Sequence, residues 1–187
     1  MRSKPARTIL ALAGGSMLLG LITGAGGASA REQKATAVLQ NAAGQTVGTV
    51  KLVEEGDAVL LRTEVGGLTP GFHGFHVHSV GQCTPPFTSA GGHFNPGGTG
   101  HGEHAGDLPS LLVMDDGTAW LRFQTDAFEI QDLFDADGSA IIVHADRDNF
   151  AHIPTRYHSH TEDSFGPDSA TLATGDAGAR IACGVIR

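Results

Sequence analysis

Residues 34–65 read KATAVLQNAAGQTVGTVKLVEEGDAVLLRTEV. Residues 34–41 and 45–53 are two strand-like runs around an Ala42-Ala43-Gly44 turn, and residues 58–65 (AVLLRTEV) are a third. Short runs of this kind, broken by turn residues, indicate an all-β domain. The pattern continues outward. Gly66-Gly67 and Pro70-Gly71 punctuate the chain, and Phe72–Val80 reads as a fourth strand. Residues 109–114 (PSLLVM), 118–123 (TAWLRF), 139–145 (SAIIVHA) and 179–186 (ARIACGVI) bring the number to eight, with a turn at Asp115-Asp116-Gly117. With 27 glycines and only 6% aromatic residues, the composition favours a turn-rich sheet protein over a helical one. Residues 127–134 (AFEIQDLF) suggest a single turn of helix. No internal repeat is present.

The length of 187 residues suits one domain, and 40% hydrophobic content is enough for one core. The first thirty residues read as an export signal. Arg2, Lys4 and Arg7 precede an apolar run from Ile9 to Ile22, and Ala28-Ser29-Ala30 has the small-x-small form of a cleavage site. The alternative is an uncleaved membrane anchor, for which the run is short and broken by Gly14, Gly15 and Gly20. Cleavage near Ala30 leaves a mature domain over 31–187, secreted or periplasmic, with no spanning segment. That domain keeps nine basic residues against twenty acidic ones, a net charge of −11. Nucleic acid and anionic membrane surfaces are poor partners for it. No exposed apolar stripe that would fix an oligomeric state is legible.

Cys83 and Cys183 are the only cysteines. In an exported chain the even count suggests a disulfide, worth roughly 4–5 kcal/mol for so long a loop.

Two stretches lack strand pattern, Ser79 to about Asp107 and roughly residues 147–178. Compact domains rarely hold two such loops unless something ties them down. The ten histidines offer a reason for the first. His76 and His78 flank Val77, and residues i and i+2 of a strand share a face, so both imidazoles can meet one metal. The bland alternative is two polar residues on a solvated face. His93 sits in Gly91-Gly92-His93-Phe94-Asn95-Pro96, and His101, His104 and Asp107 follow. Three imidazoles and a carboxylate make a plausible tetrahedral zinc set, which would anchor the loop in place of a core. Solvated loop histidines are the other reading. His144 ends the apolar run Ile141-Ile142-Val143. A histidine in such a run is more often a satisfied core residue than a ligand, but a tetragonal copper site wants four nitrogens, and His144 is a candidate for one.

At this point the motifs resemble those of the copper/zinc superoxide dismutases. Gly74-Phe75-His76-Val77-His78, Gly91-Gly92-His93-Phe94-Asn95-Pro96, His104-Ala105-Gly106-Asp107 and Gly175-Asp176-Ala177-Gly178-Ala179-Arg180-Ile181-Ala182-Cys183-Gly184 occur in the family's order. The resemblance implies an eight-stranded Greek-key β-barrel of sandwich type with two long functional loops. It implies copper on His76, His78, His93 and His144, and zinc on His93, His101, His104 and Asp107, with His93 bridging. It implies a Cys83–Cys183 disulfide and an outer carboxylate, Asp148, linking copper and zinc ligands. The implied catalytic residues are Arg180, which attracts superoxide, and His93, which switches between bridging and protonated forms.

Some residues depart from the family pattern. Only two residues separate His101 from His104, which puts zinc closure in doubt. Ala173 stands at an expected lysine and Asp176 at an expected asparagine, making the approach more negative. Residues 149–160 are longer than in many relatives, and His152, His158 and His160 there offer a further metal site or a solvated loop. A secreted copper-buffering protein without turnover is the rival reading, and an adhesive or structural sandwich is the third.

Overall fold

The computed structural model describes residues 33–187. The expected signal sequence lies outside the described residues. Strands β1 (Lys34–Asn41), β2 (Thr46–Glu55) and β3 (Ala58–Val65) form an antiparallel meander. In β1 the side chains alternate, with Ala35, Ala37 and Leu39 buried and Lys34, Thr36 and Val38 outside. That period of two gives the sheet one core face.

The expected fourth strand is two pieces, β4 (Gly71–His73) and β5 (Phe75–His78), and it ends at His78 rather than Val80. Gly74 is the break. A Cβ there would lie 2.6 Å from the Ala177 Cβ and 3.2 Å from His76 Cε1. Its N–H donates to the Asp146 carbonyl and its carbonyl accepts from the His144 N–H, both at 2.8 Å. The chain thus stays bonded while it changes partners. Before the break β4 pairs with β6 (Leu111–Val113); after it β5 pairs with β8 (Ala140–His144).

With β7 (Ala119–Thr125) and the last long strand, the antiparallel sheet runs β5, β8, the strand Arg180–Val185, β1, β2, β3, β7. The sheet curls on itself, so that Phe75 and Val77 from one end share a core with Val59 and Leu61 from the other. The Met114 N–H to Thr118 carbonyl bond turns β6 into β7, so the β4–β6 pair spans the gap. Counting β4 and β5 as one bent strand, the barrel has the eight expected strands in a Greek-key order. Fully buried Leu39, Leu52, Leu61, Leu111 and Ile141 each contribute about 1.5–3 kcal/mol. This wall, independent of any metal, sets the spacing of β5 and β8.

The expected helical turn is a 3-10 turn at Ile130–Phe134. The second irregular stretch holds elements the sequence reading missed: β9 (His158–Ser159) pairs with β10 (Ser164–Phe165), and a short helix α1 spans Ser169–Thr174, capped by Asp168. β11 is then Arg180–Val185. Cys83 and Cys183 form a disulfide with a Cα–Cα distance of 5.6 Å, fixing the first loop to β11. Phe72 and Leu112 lie opposite each other on β4 and β6 and are exposed, as are Met114 and Trp120, an apolar surface not singled out from sequence.

Candidate metal centre

On β5, Phe75 and Val77 enter the main core and His76 and His78 take the other side, as a period of two requires. β8 carries its last residue, His144, alongside: Phe75 lies opposite Val143, and across the sheet His144 lies opposite Arg180 on β11. The first loop is laid along β5 by backbone bonds. Ser79 N–H donates to Gly92, Phe94 N–H to Val77, and Val77 N–H to Gly106. His93 is thereby placed beside His78, and Asp107 beside His76.

One metal-binding atom from each of His76, His78, His93 and His144 falls in a group whose members all lie within 4.8 Å of one another. The same holds for His93, His101, His104 and Asp107. The short spacing between His101 and His104 does not prevent the zinc-type set from closing. His93 belongs to both groups. The His78 and His144 Nε2 atoms are 3.4 Å apart. Asp107 Oδ1 is 2.8 Å from His93 Nδ1, 3.2 Å from His104 Nδ1 and 3.2 Å from His101 Nδ1. Its Oδ2 accepts from the Gly102 and His104 N–H groups, which shapes the loop.

Partners behind the rings fix which nitrogen faces inward. Asp148 accepts from His76 Nε2 and from His101 Nε2, each at 2.7 Å, so one carboxylate joins the two groups. His78 Nδ1 donates to the Gly91 carbonyl and His144 Nδ1 to that of Gly178. Among the described residues, the buried ring nitrogens left without a hydrogen-bond partner are His76 Nδ1, His93 Nε2 and His101 Nδ1. Unpaired buried nitrogens are costly, and here they converge within sets of further nitrogen and carboxylate donors. The residues fit two metal ions.

The electrostatics divide the rings. Burial, with the neighbouring rings, lowers His78 well below 6.5. Burial lowers His93 to about 4 despite the Asp107 hydrogen bond, and lowers His144 to about 3. Burial also opposes charge on His101, but the carboxylates of Asp107 and Asp148 against the ring outweigh it and raise that ring to about 9. Burial works to raise both carboxyls, yet Asp107 and Asp148 are held well below the usual range by the histidines bonded to them. His78, His93 and His144 are thus neutral at pH 7, the form in which an imidazole can bind a metal.

A family model described as copper/zinc superoxide dismutase matches residues 46–186. The chain belongs to the copper/zinc superoxide dismutases. It is an oxidoreductase that acts on superoxide with copper and zinc as its metals. The Cu-Zn superoxide dismutase of Mycolicibacterium paratuberculosis is 45% identical over 182 residues, covering 88% of this chain and 80% of that protein. That of Mycobacterium tuberculosis is 51% identical over 136 residues, covering 66% of this chain and 56% of that one. A solved SOD-like protein from Bacillus subtilis is 32% identical, with a TM-score of 0.64, covering 80% of this chain and 96% of its own.

Arg180 of this dismutase is held by two carbonyls of the first loop: Nη1 donates to Phe87 at 2.7 Å and Nη2 to Gly91 at 2.6 Å. The Gly91 oxygen is the one that receives His78 Nδ1. Asp176 is not free at the approach; Asn149 and Thr171 both donate to it. His158 Nε2 is 3.0 Å from Asp163 Oδ1, and none of His152, His158 and His160 belongs to a metal-capable group among the described residues. Sequence reasoning missed His73. It is buried, with Nδ1 2.7 Å from the His144 carbonyl and Nε2 2.8 Å from that of Thr69. Its adjacency to the His-x-His pair was the only available signal.

Proposed function

We propose that His76 through Nδ1, and His78, His93 and His144 through Nε2, hold the copper of this dismutase. His93, His101 and His104 through Nδ1, with Asp107, hold the zinc. The observation that carries this reading is the position of His93, whose two ring nitrogens face different groups: Nδ1 sits at Asp107, and Nε2 is buried without a protein partner. Copper supplies one-electron cycling, which oxidises one superoxide to oxygen and reduces a second to hydrogen peroxide with uptake of two protons.

The protein's part is placement and charge. His93 can hold a proton at Nε2 while Nδ1 stays fixed on the zinc side. Asp148 keeps His76 and His101 turned inward, the usual work of an outer carboxylate. Arg180 offers a fixed guanidinium to a small anion, and local positive charge focuses it against a net charge of −11. Residues 1–30 serve as a cleaved signal, residues 31–187 form the working domain, and the disulfide suits an oxidising compartment. The copper-buffering alternative is not favoured, because a buffer needs neither a shared ring nor an aimed arginine.

Metal analysis beside an activity assay tests the reading. Mature protein with copper and zinc bound should remove superoxide, and Arg180→Ala should slow it with copper retained. A fully metallated protein without turnover would defeat it.

A further inference from the structure

Asp176 touches neither metal group, yet two supports of His101 meet on its carboxylate. Oδ2 accepts from Asn149 Nδ2 at 2.7 Å and from Thr171 Oγ1 at 2.6 Å. Asn149 adjoins Asp148, whose Oδ1 takes His101 Nε2. Thr171 adjoins Leu172, whose carbonyl accepts the His101 N–H at 2.9 Å. Between these supports runs a constrained turn. Asp148 Oδ1 accepts from Phe150 N–H at 2.7 Å and Asn149 Oδ1 from Ala151 N–H at 2.8 Å. Phe150 and Ala151 both have φ +53°, and Asp176 has φ +52°. Non-glycine residues stay in that region only when their surroundings hold them there. Next to Asp176, a Cβ on Gly175 would overlap Asp148 Oδ1 and His101 Nε2, so the chain packs directly on the carboxylate–imidazole pair.

We propose that Asp176 is a positioning residue: by securing Asn149 and Thr171 on one oxygen, it holds the turn that aims Asp148 at His101 and keeps the zinc side closed. This rests on the reading of Asp148 given above. A bridging residue lost behind a ligand commonly costs 10- to 100-fold in metal affinity, and a residue one step further out belongs at the lower end.

Zinc retention tests the proposal. Copper- and zinc-loaded protein is challenged with a chelator, and zinc release and cobalt(II) spectra at the zinc site are recorded. Asp176→Ala should weaken zinc about 10-fold and broaden the cobalt bands. Asp176→Asn keeps an oxygen where both donors point and should stay within about 3-fold. Asn149→Asp sets two carboxylates face to face and should loosen zinc at least as much as Asp176→Ala. The double exchange Asn149→Asp with Asp176→Asn restores a donor–acceptor pair and should recover zinc retention. Parent-like retention in Asp176→Ala, or a double exchange no better than Asn149→Asp, would overturn the proposal. Asp148→Asn separates the two readings. If it releases zinc while Asp176→Ala does not, only the role of Asp176 fails. If it leaves zinc in place, both fail.

Discussion

His76, His78 and His144 stand on β5 and β8, inside a hydrogen-bonded ladder backed by a buried apolar wall. His101 and His104 stand on a loop whose shape comes from Asp107, Asp148 and a few backbone bonds. The two halves of one centre therefore draw their order from different sources. The strand histidines are placed by the ladder and the core behind it. Loop ligands are placed by carboxylates that also carry charge, so their order depends on ionisation and on the metal.

The largest effect should come from the strand side. His144→Ala removes an inward nitrogen from a frame that stays intact. Activity should fall at least about 1000-fold, roughly 4 kcal/mol, while the unfolding midpoint of metal-free protein stays close to the parent's. A large stability loss would show that the ladder does not stand by itself.

Next is the pH dependence of metal-free protein, read by urea unfolding. His93 and His144 titrate at about 4 and about 3 when folded, against 6.5 when free. Between those values the unfolded chain binds protons that the folded chain refuses. Their contribution is complete above pH 6.5 and is lost as pH falls toward 4. His101, raised to about 9, works in the opposite sense: its contribution is complete below 6.5 and is lost as pH rises through about 9. Stability should peak near pH 6.5–7 and drop on the acid side by several kcal/mol. A flat profile from pH 4 to 9 would remove the electrostatic half of the contrast.

Asp107→Ala acts first on the loop side, where the carboxylate meets His101 and His104. Zinc affinity should fall about 100-fold with copper binding nearly unchanged, measured by competition with chelators. Equal loss of both metals would mean that the halves are not separable. The smallest effect belongs to neither half. Arg180→Ala should slow turnover about 10-fold and flatten its salt dependence, with both metals retained.

The same contrast explains what was legible in the sequence. β1, β2 and β3 were readable because apolar residues recur at the strand period and turns separate them. The His76/His78 pair was readable for the same reason. The break at Gly74 was not, since FHGFHVH reads as continuous until Ala177, distant in sequence, is known to crowd it. β9, β10 and α1 were hidden because HS, SF and SATLAT are short, polar and held by side-chain bonds rather than by a buried stripe. The proposed copper and zinc sets were suggested by strand spacing and donor chemistry, and motif resemblance supplied their full membership. The partners of Asp176 and His73 involve loop and carbonyl contacts that no local pattern encodes.

The Gly91 oxygen receives both His78 Nδ1 and Arg180 Nη2. An imidazole on the ion's side and a guanidinium on the anion's side are therefore gauged from a single datum. A breathing motion of that segment carries both along together, so the offset between them varies less than the position of either.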